Sequence, residues 1–338
     1  MQRVIVIGAS LGGVPALIQL TAGLPPNFPA PIFIVLHIGE HPSLLPSLLA
    51  RRCQLPVHLA KDGDPINSGE VYVAAPDHHL LITSQRISLT RGAKEHHTRP
   101  AIDPLFRSAA TAYSSGAIGV ILTGCLDDGT AGLQAIKAFG GTTIVQDPDD
   151  AAERSMPDSA LRNVEVDHCV PLALIPSLLT ELSRRENRMA DLPPPESPSD
   201  SDSQKVMKDR LEHEIALMRR DGVALKHLQA IGKPSTFTCP DCHGDLWELF
   251  DSRPQRYRCH TGHAFTLSTL YAAMGTGADH ALENAYRALQ EKQLLLEHMA
   301  TDAISTGSDV QGRELLAVAS RLQRHASLIA GILEEADD

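Results

Sequence analysis

The chain has 338 residues, with 41 acidic against 30 basic side chains and a formal charge of -11. That excess of negative charge argues against a nucleic-acid partner, which calls for a basic face, and the longest apolar runs are strand-sized, far short of the roughly 20 residues of a membrane-spanning helix. The length is that of two domains, and the six cysteines fall into three scattered thiols (Cys53, Cys125, Cys169) and one cluster (Cys239, Cys242, Cys259), a usage that suits a reducing cytoplasm.

The first predicted element is Val4-Ile5-Val6-Ile7, four β-branched residues suited to a strand buried on both faces. Gly8 is expected to turn the backbone at its end, and Gly12 and Gly13 to let a helix over 14–20 pack close to that strand. Ser10 then sits on a strand-to-helix turn, beside the amide of Leu11 and a helix N-terminus, which is a setting for a nucleophile with an oxyanion donor. The spacing Gly8-x-Ser10-x-x-Gly13 is also a degraded dinucleotide fingerprint. Against that reading, serine replaces the middle glycine, and the second strand runs into His37 where a ribose-binding Asp or Glu belongs.

Further strands are expected over 32–36, 57–59, 70–74, 80–83, 87–89, 117–122 and 142–146, with helices over 44–52, 104–114 and 132–139. Their alternation predicts an α/β fold, a doubly wound parallel sheet. The runs at 80–83 and 87–89, separated by Ser84-Gln85-Arg86, predict an antiparallel edge hairpin, and 70–74 is expected to join that antiparallel margin. The domains implied are a catalytic domain over 1–185, a disordered Pro/Ser/Asp linker over 186–204 and a remainder over 205–338. The remainder holds a helix over 205–218, a small zinc-ribbon-like segment over 237–265 and a C-terminal helical hairpin. The hairpin carries apolar stripes at Leu282, Ala285, Leu289, Leu296 and Met299 and at Leu315, Ala319, Leu322, Ala326, Ile329 and Leu333, punctuated by Gly307.

Reactive groups of an open parallel sheet gather where its strands end. Ser10 follows the first strand, His37 ends the second, and Asp127-Asp128 follow the run 117–124. Together they supply a hydroxyl, an imidazole and a carboxylate. Each alone has a plainer reading: His37 as a core histidine, Asp127 or Asp128 as a helix cap.

The motifs Gly8-Ala9-Ser10-x-Gly12-Gly13, Gly69-Glu70-Val71-Tyr72-Val73-Ala74-x-Pro76-x-x-His79-Leu80, Arg99-Pro100-Ala101-Ile102-Asp103-x-Leu105-Phe106-x-Ser108-Ala109-Ala110, Leu122-Thr123-Gly124-x-x-x-Asp128-Gly129 and Ser155-Met156-Pro157, with the histidine ending strand two, occur in the order of a known family. From Val4 to about Leu182 the chain resembles the catalytic domain of the chemotaxis protein-glutamate methylesterase (CheB) family. The resemblance implies a cofactor-free Ser-His-Asp hydrolase. Its substrates would be glutamate methyl esters, and in some members glutamines, on the helices of methylated chemoreceptors. It assigns Ser10 as nucleophile, His37 as base and then acid, Asp128 as the residue orienting the imidazole, and Asp127 as a supporting or capping residue; Arg99 is either a receptor contact or a solvated side chain. Leu11 and Leu126 stand where the family has threonine and glycine, and His37-Ile38-Gly39 where it has His-Met-Pro. The chain also begins on the esterase's first strand, where the family's regulator first carries a phosphate-accepting receiver domain, so control by phosphorylation within the chain is not expected.

Cys239-Pro240-Asp241-Cys242, then Cys259-His260-Thr261-Gly262-His263, has the spacing of a structural zinc site with Cys239, Cys242, Cys259 and His263 as ligands and His260 as the alternative fourth. Trp247, Phe250, Tyr257 and Phe265 would form the small core around it. The expected role is a regulatory or interaction module, with a signalling partner on the C-terminal helices. Two rivals frame the reading: a nicotinamide-binding domain, separable by fluorophosphonate labelling of Ser10, and a non-catalytic interaction protein that keeps the esterase fold.

Overall fold

A run of β-branched residues leaves no polar face, and Val4–Ala9 (β1) lies buried at the middle of a parallel sheet. The computed structural model describes residues 3–38, 43–184, 198–219, 223–250 and 252–336. After β1 come Ile32–Leu36 (β2), Val57–Leu59 (β3), Val71–Val73 (β4), His79–Ile82 (β5), Ile87–Thr90 (β6), Ala117–Ile121 (β7), Thr142–Gln146 (β8) and His168–Val170 (β9). The main sheet has the order β3-β4-β2-β1-β7-β8-β9, every pairing parallel.

Six helices flank it: Gly13–Ala22 (α1), Leu45–Ala50 (α2), Ile102–Tyr113 (α3), Thr130–Ala138 (α4), Ser155–Asn163 (α5) and Ile175–Arg184 (α6). The period-2 alternation of β1 sends Ile5 and Ile7 into one core with α1, α2 and α6, and Val4 and Val6 into another with α3, α4 and α5. The sheet is therefore doubly wound. Strand order reverses at β1, which puts the carboxyl ends of β1, β2 and β7 side by side.

Four details differ from expectation. Gly8 does not turn the chain: it stays in β1, paired with Val35 and Ile121, and a Cβ there would lie 2.4 Å from Ile102 Cγ2, so the glycine admits the start of α3. The turn falls at Gly12, whose φ of 76° caps α1. The segment around β4 joins the main sheet in parallel, while β5 and β6 form a two-stranded antiparallel sheet of their own. Strand β9 was not expected, because His168-Cys169-Val170 is half-exposed and lacks an apolar run.

Most of the linker expected over 186–204 lies outside the described residues; Pro198 opens a helix, Pro198–Arg219 (α7), that begins earlier than Lys205. Ala224–Ile231 (α8) follows, then a four-stranded antiparallel sheet of Gly232–Thr238 (β10), Asp245–Leu249 (β11), Arg256–Cys259 (β12) and Ala264–Thr266 (β13). Two long helices end the chain, Leu267–Ser305 (α9) and Asp309–Ala336 (α10), joined at Gly307 with φ 85°. The chain divides into two compact units, Met1–Leu270 and Tyr271–Asp338. No helix among the described residues is long and apolar enough to cross a membrane.

Within the first unit, a buried ionic network joins α7 and β12 to α3. Glu95 takes Arg107 at 2.6 Å and Arg258 at 2.6 Å; Glu214 of α7 takes Arg256 at 2.9 Å and Arg258 at 3.4 Å. Burial alone would raise both carboxyls, but the surrounding guanidinium groups hold them well below their ordinary range.

Candidate active site

The three strand ends deliver their side chains to one place. Ser10 Oγ lies 3.1 Å from His37 Nδ1, and His37 Nε2 lies 2.8 Å from Asp128 Oδ2. The carboxylate fixes the proton on Nε2, which leaves the Nδ1 lone pair to accept the Ser10 hydroxyl. His37 is 18% exposed and Asp128 2%, so the carboxylate end is shut off from water while the serine end is open to a substrate.

Asp128 is held by more than the histidine. Its carboxylate accepts the backbone N–H groups of Ile102 (2.7 Å), Asp103 (3.0 Å) and Gly129 (2.8 Å), so it caps α3, a helix distant in sequence, rather than α4. Asp103 returns the favour by accepting the Gly132 N–H of α4 at 2.7 Å. Burial would raise the Asp128 carboxyl, yet the charge of His96, the bond from His37 and the Ile102 amide hold it far below its ordinary value.

The serine turn is pinned from below. Ser10 N–H donates to the Thr123 carbonyl (3.0 Å), the Thr123 hydroxyl donates to the Leu11 carbonyl (2.9 Å), and Glu153 N–H donates to that hydroxyl (2.8 Å). Leu11 is 60% exposed beside the serine, and Leu126 adopts a left-handed φ of 64°.

The other expected residues are placed as follows. Asp127 is buried and accepts the Thr266 hydroxyl at 2.8 Å, while its carbonyl accepts Thr130 N–H. Arg99, expected as either a receptor contact or a solvated side chain, is largely covered, paired with Asp77, and donates to the Gly92 carbonyl at 2.6 Å. His79 is a strap, its Nδ1 accepting Ala101 N–H (3.2 Å) and its Nε2–H donating to the Ala93 carbonyl (2.9 Å). His96, Thr123 and Thr266 went unforeseen. The pair His96-His97 ahead of the Arg99-Pro100 motif was the visible hint for the first.

Apart from this site, Cys239, Cys242, Cys259 and His263 bring their four donor atoms within 4.8 Å of one another. The edges are 3.5 Å (Cys259 Sγ to His263 Nδ1) and 3.6 Å (Cys239 Sγ to His263 Nδ1, and Cys242 Sγ to Cys259 Sγ). Bonds of about 2.3 Å from sulfur and about 2.1 Å from nitrogen to a central tetrahedral ion need edges of roughly this size. His260 is exposed and outside the group.

Comparison with known proteins gives a consistent picture. Residues 5–179 match the family model described as CheB methylesterase. A protein-glutamate methylesterase/protein-glutamine glutaminase of Anaeromyxobacter dehalogenans is 41% identical over 183 residues, which cover 54% of this chain and 54% of that protein. A protein of Leptospira interrogans is 40% identical over 182 residues, 53% of this chain and 94% of its own length. The crystal structure of the Thermotoga maritima CheB methylesterase catalytic domain, 36% identical, superposes with a TM-score of 0.51 over 54% of this chain and 99% of that domain. The chain thus spans about half the length of the first of these relatives.

Proposed function

The chain belongs to the CheB methylesterase family, and from that premise we propose that it hydrolyses glutamate γ-methyl esters on chemoreceptor helices, and deamidates receptor glutamines, with Ser10, His37 and Asp128 as a catalytic triad. The observation that carries this reading is the unbroken contact chain of 3.1 and 2.8 Å from hydroxyl to imidazole to buried carboxylate. Ser10 Oγ attacks the ester carbonyl as His37 Nδ1 takes its proton, and Asp128 stabilises the imidazolium at Nε2. The Leu11 amide serves the oxyanion. Methanol, or ammonia from glutamine, leaves with the proton from Nδ1, and water then releases the glutamyl group by the same route reversed. No cofactor enters.

Cys239, Cys242, Cys259 and His263 would hold a structural zinc ion, which supplies folding energy to the four-stranded sheet and takes no part in the hydrolysis. The setting is the cytoplasm, where thiols stay reduced, and the half-exposed stripes of α9 and α10 would meet a signalling partner. The rival, a non-catalytic protein with an idle triad, draws on the exposed Leu11 and Leu126 beside the site. Methanol release from methylated receptor membranes decides between them. Wild type is expected to release methanol while Ser10→Ala and His37→Ala lose at least about a thousandfold in rate; no release from wild type ends the esterase reading.

A further inference from the structure

A second imidazole stands against the carboxylate of Asp128. Oδ2 is taken by His37 and Ile102 N–H; Oδ1, besides its two backbone donors, lies 3.6 Å from His96 Nε2. The same Nε2 is 3.1 Å from Asp103 Oδ2, and His96 Nδ1 lies 3.4 Å from Thr269 Oγ1 and 3.9 Å from Asp127 Oδ1. We propose that His96 is a positioning residue for the triad carboxylate, held against Asp128 by Asp103 and by Thr269 of the C-terminal segment. The inference rests on the assignment of Asp128 to the triad.

Charge arithmetic supports it. Asp103, Asp127 and Asp128 meet around this ring and each is nearly inaccessible to water, so without a cation among them one would hold a proton. Arg107 lies 3.7 Å from Asp103, but its charge is shared with Glu95 and Glu214. Glu95, next in the chain, is answered by Arg107 and Arg258, and His97 turns away to Asp241. Burial would lower the basicity of His96, but Asp128, Asp103 and Asp127 more than reverse that and push it up to about 9, so it carries the missing charge at neutral pH.

The ring is also mechanically fixed. His96 N–H donates to the Ala264 carbonyl of β13 at 2.8 Å. Thr266 and Thr269 exchange backbone-to-hydroxyl bonds of 2.8 and 3.1 Å at the start of α9, and Thr266 donates to Asp127. Residues 264–269, beyond the stretch that matches the family, therefore brace the carboxylate on which His37 depends. A cation on the far side of Asp128 also opposes protonation of His37 and so tunes the base.

Histidine-ring 15N NMR titration of the full chain tests this, in a Ser10→Ala background with and without His96→Gln. The expected result is a His96 that stays protonated through neutrality and a His37 midpoint that rises by about half a unit or more in His96→Gln, since a nearby positive charge has gone. The acid limb of kcat/KM in the active chain should move to higher pH with it, a shift that loss of packing alone would not produce. Where His96→Gln does not fold, Thr269→Val and Asp103→Asn carry the test, each lowering the His96 midpoint. An unmoved His37 midpoint in a folded His96→Gln, or a His96 that titrates near its ordinary value, overturns the proposal. The titration is read without turnover, so an absence of methanol release from wild type would remove the esterase reading and leave this result to stand or fall by itself.

Discussion

A methyl group on Gly124 would stand 2.8 Å from Ser10 Cβ and 2.2 Å from Met156 Sδ, so the smallest side chain at that position displaces the serine. Gly124→Ala is expected to cost about 1–3 kcal/mol of stability and to lower kcat through the misplaced hydroxyl, measurable by denaturant titration and ester hydrolysis. Leu126 poses the opposite case. It holds a left-handed φ of 64° that disfavours a side chain, and Leu126→Gly should raise stability by up to about 1 kcal/mol despite the added freedom of the unfolded chain. His96 gives a pH signature. Its folded value of about 9 lies above the ordinary 6.5, so its stabilising contribution is complete below pH 6.5 and is lost as pH rises through 9. The stability gap between wild type and His96→Gln should therefore be widest in mild acid and close above pH 9 in urea titrations; a gap independent of pH would contradict the charged assignment.

At the scale of elements, the meeting of Ser10, His37 and Asp128 was legible because each follows a strand with an unmistakable apolar run, directly for Ser10 and His37 and after a short loop for Asp128, and a parallel sheet collects strand ends at one edge. What the pattern could not show is the brace behind them. Asp128 caps α3 from 25 residues away and His96 meets Thr269 from 173, and neither separation follows from local periodicity. The strand around Tyr72 was misplaced for a related reason: three apolar residues carry no sign of whether they pair in parallel or antiparallel. Asp128→Asn keeps the shape but weakens both the α3 cap and the imidazole's orientation, and should reduce kcat by several orders of magnitude with a smaller loss in stability. For the four-stranded sheet, chelation or Cys259→Ser should lower the thermal midpoint of the residues 232–266 sheet, read by hydrogen exchange, if the four donors hold zinc.

For the molecule as a whole, the ionic network ties the C-terminal segment through Leu270 into the same compact unit as the main parallel sheet. Removing one partner strands the others in a dry interior, so Glu214→Ala is expected to cost about 3–5 kcal/mol, far more than an exposed ion pair would. A chain cut after Arg184 leaves Glu95 and Arg107 without Arg258 and Glu214, and should be less stable than the full chain and poorly active. The proposed function rests on Ser10 being made reactive by the histidine and aspartate that meet it. Fluorophosphonate labelling followed by peptide mass spectrometry measures that reactivity directly. The account predicts a single adduct per chain, on Ser10, with a labelling rate that falls by at least about a thousandfold in His37→Ala; an unlabelled wild type, an adduct on another residue, or equal labelling of His37→Ala would contradict it.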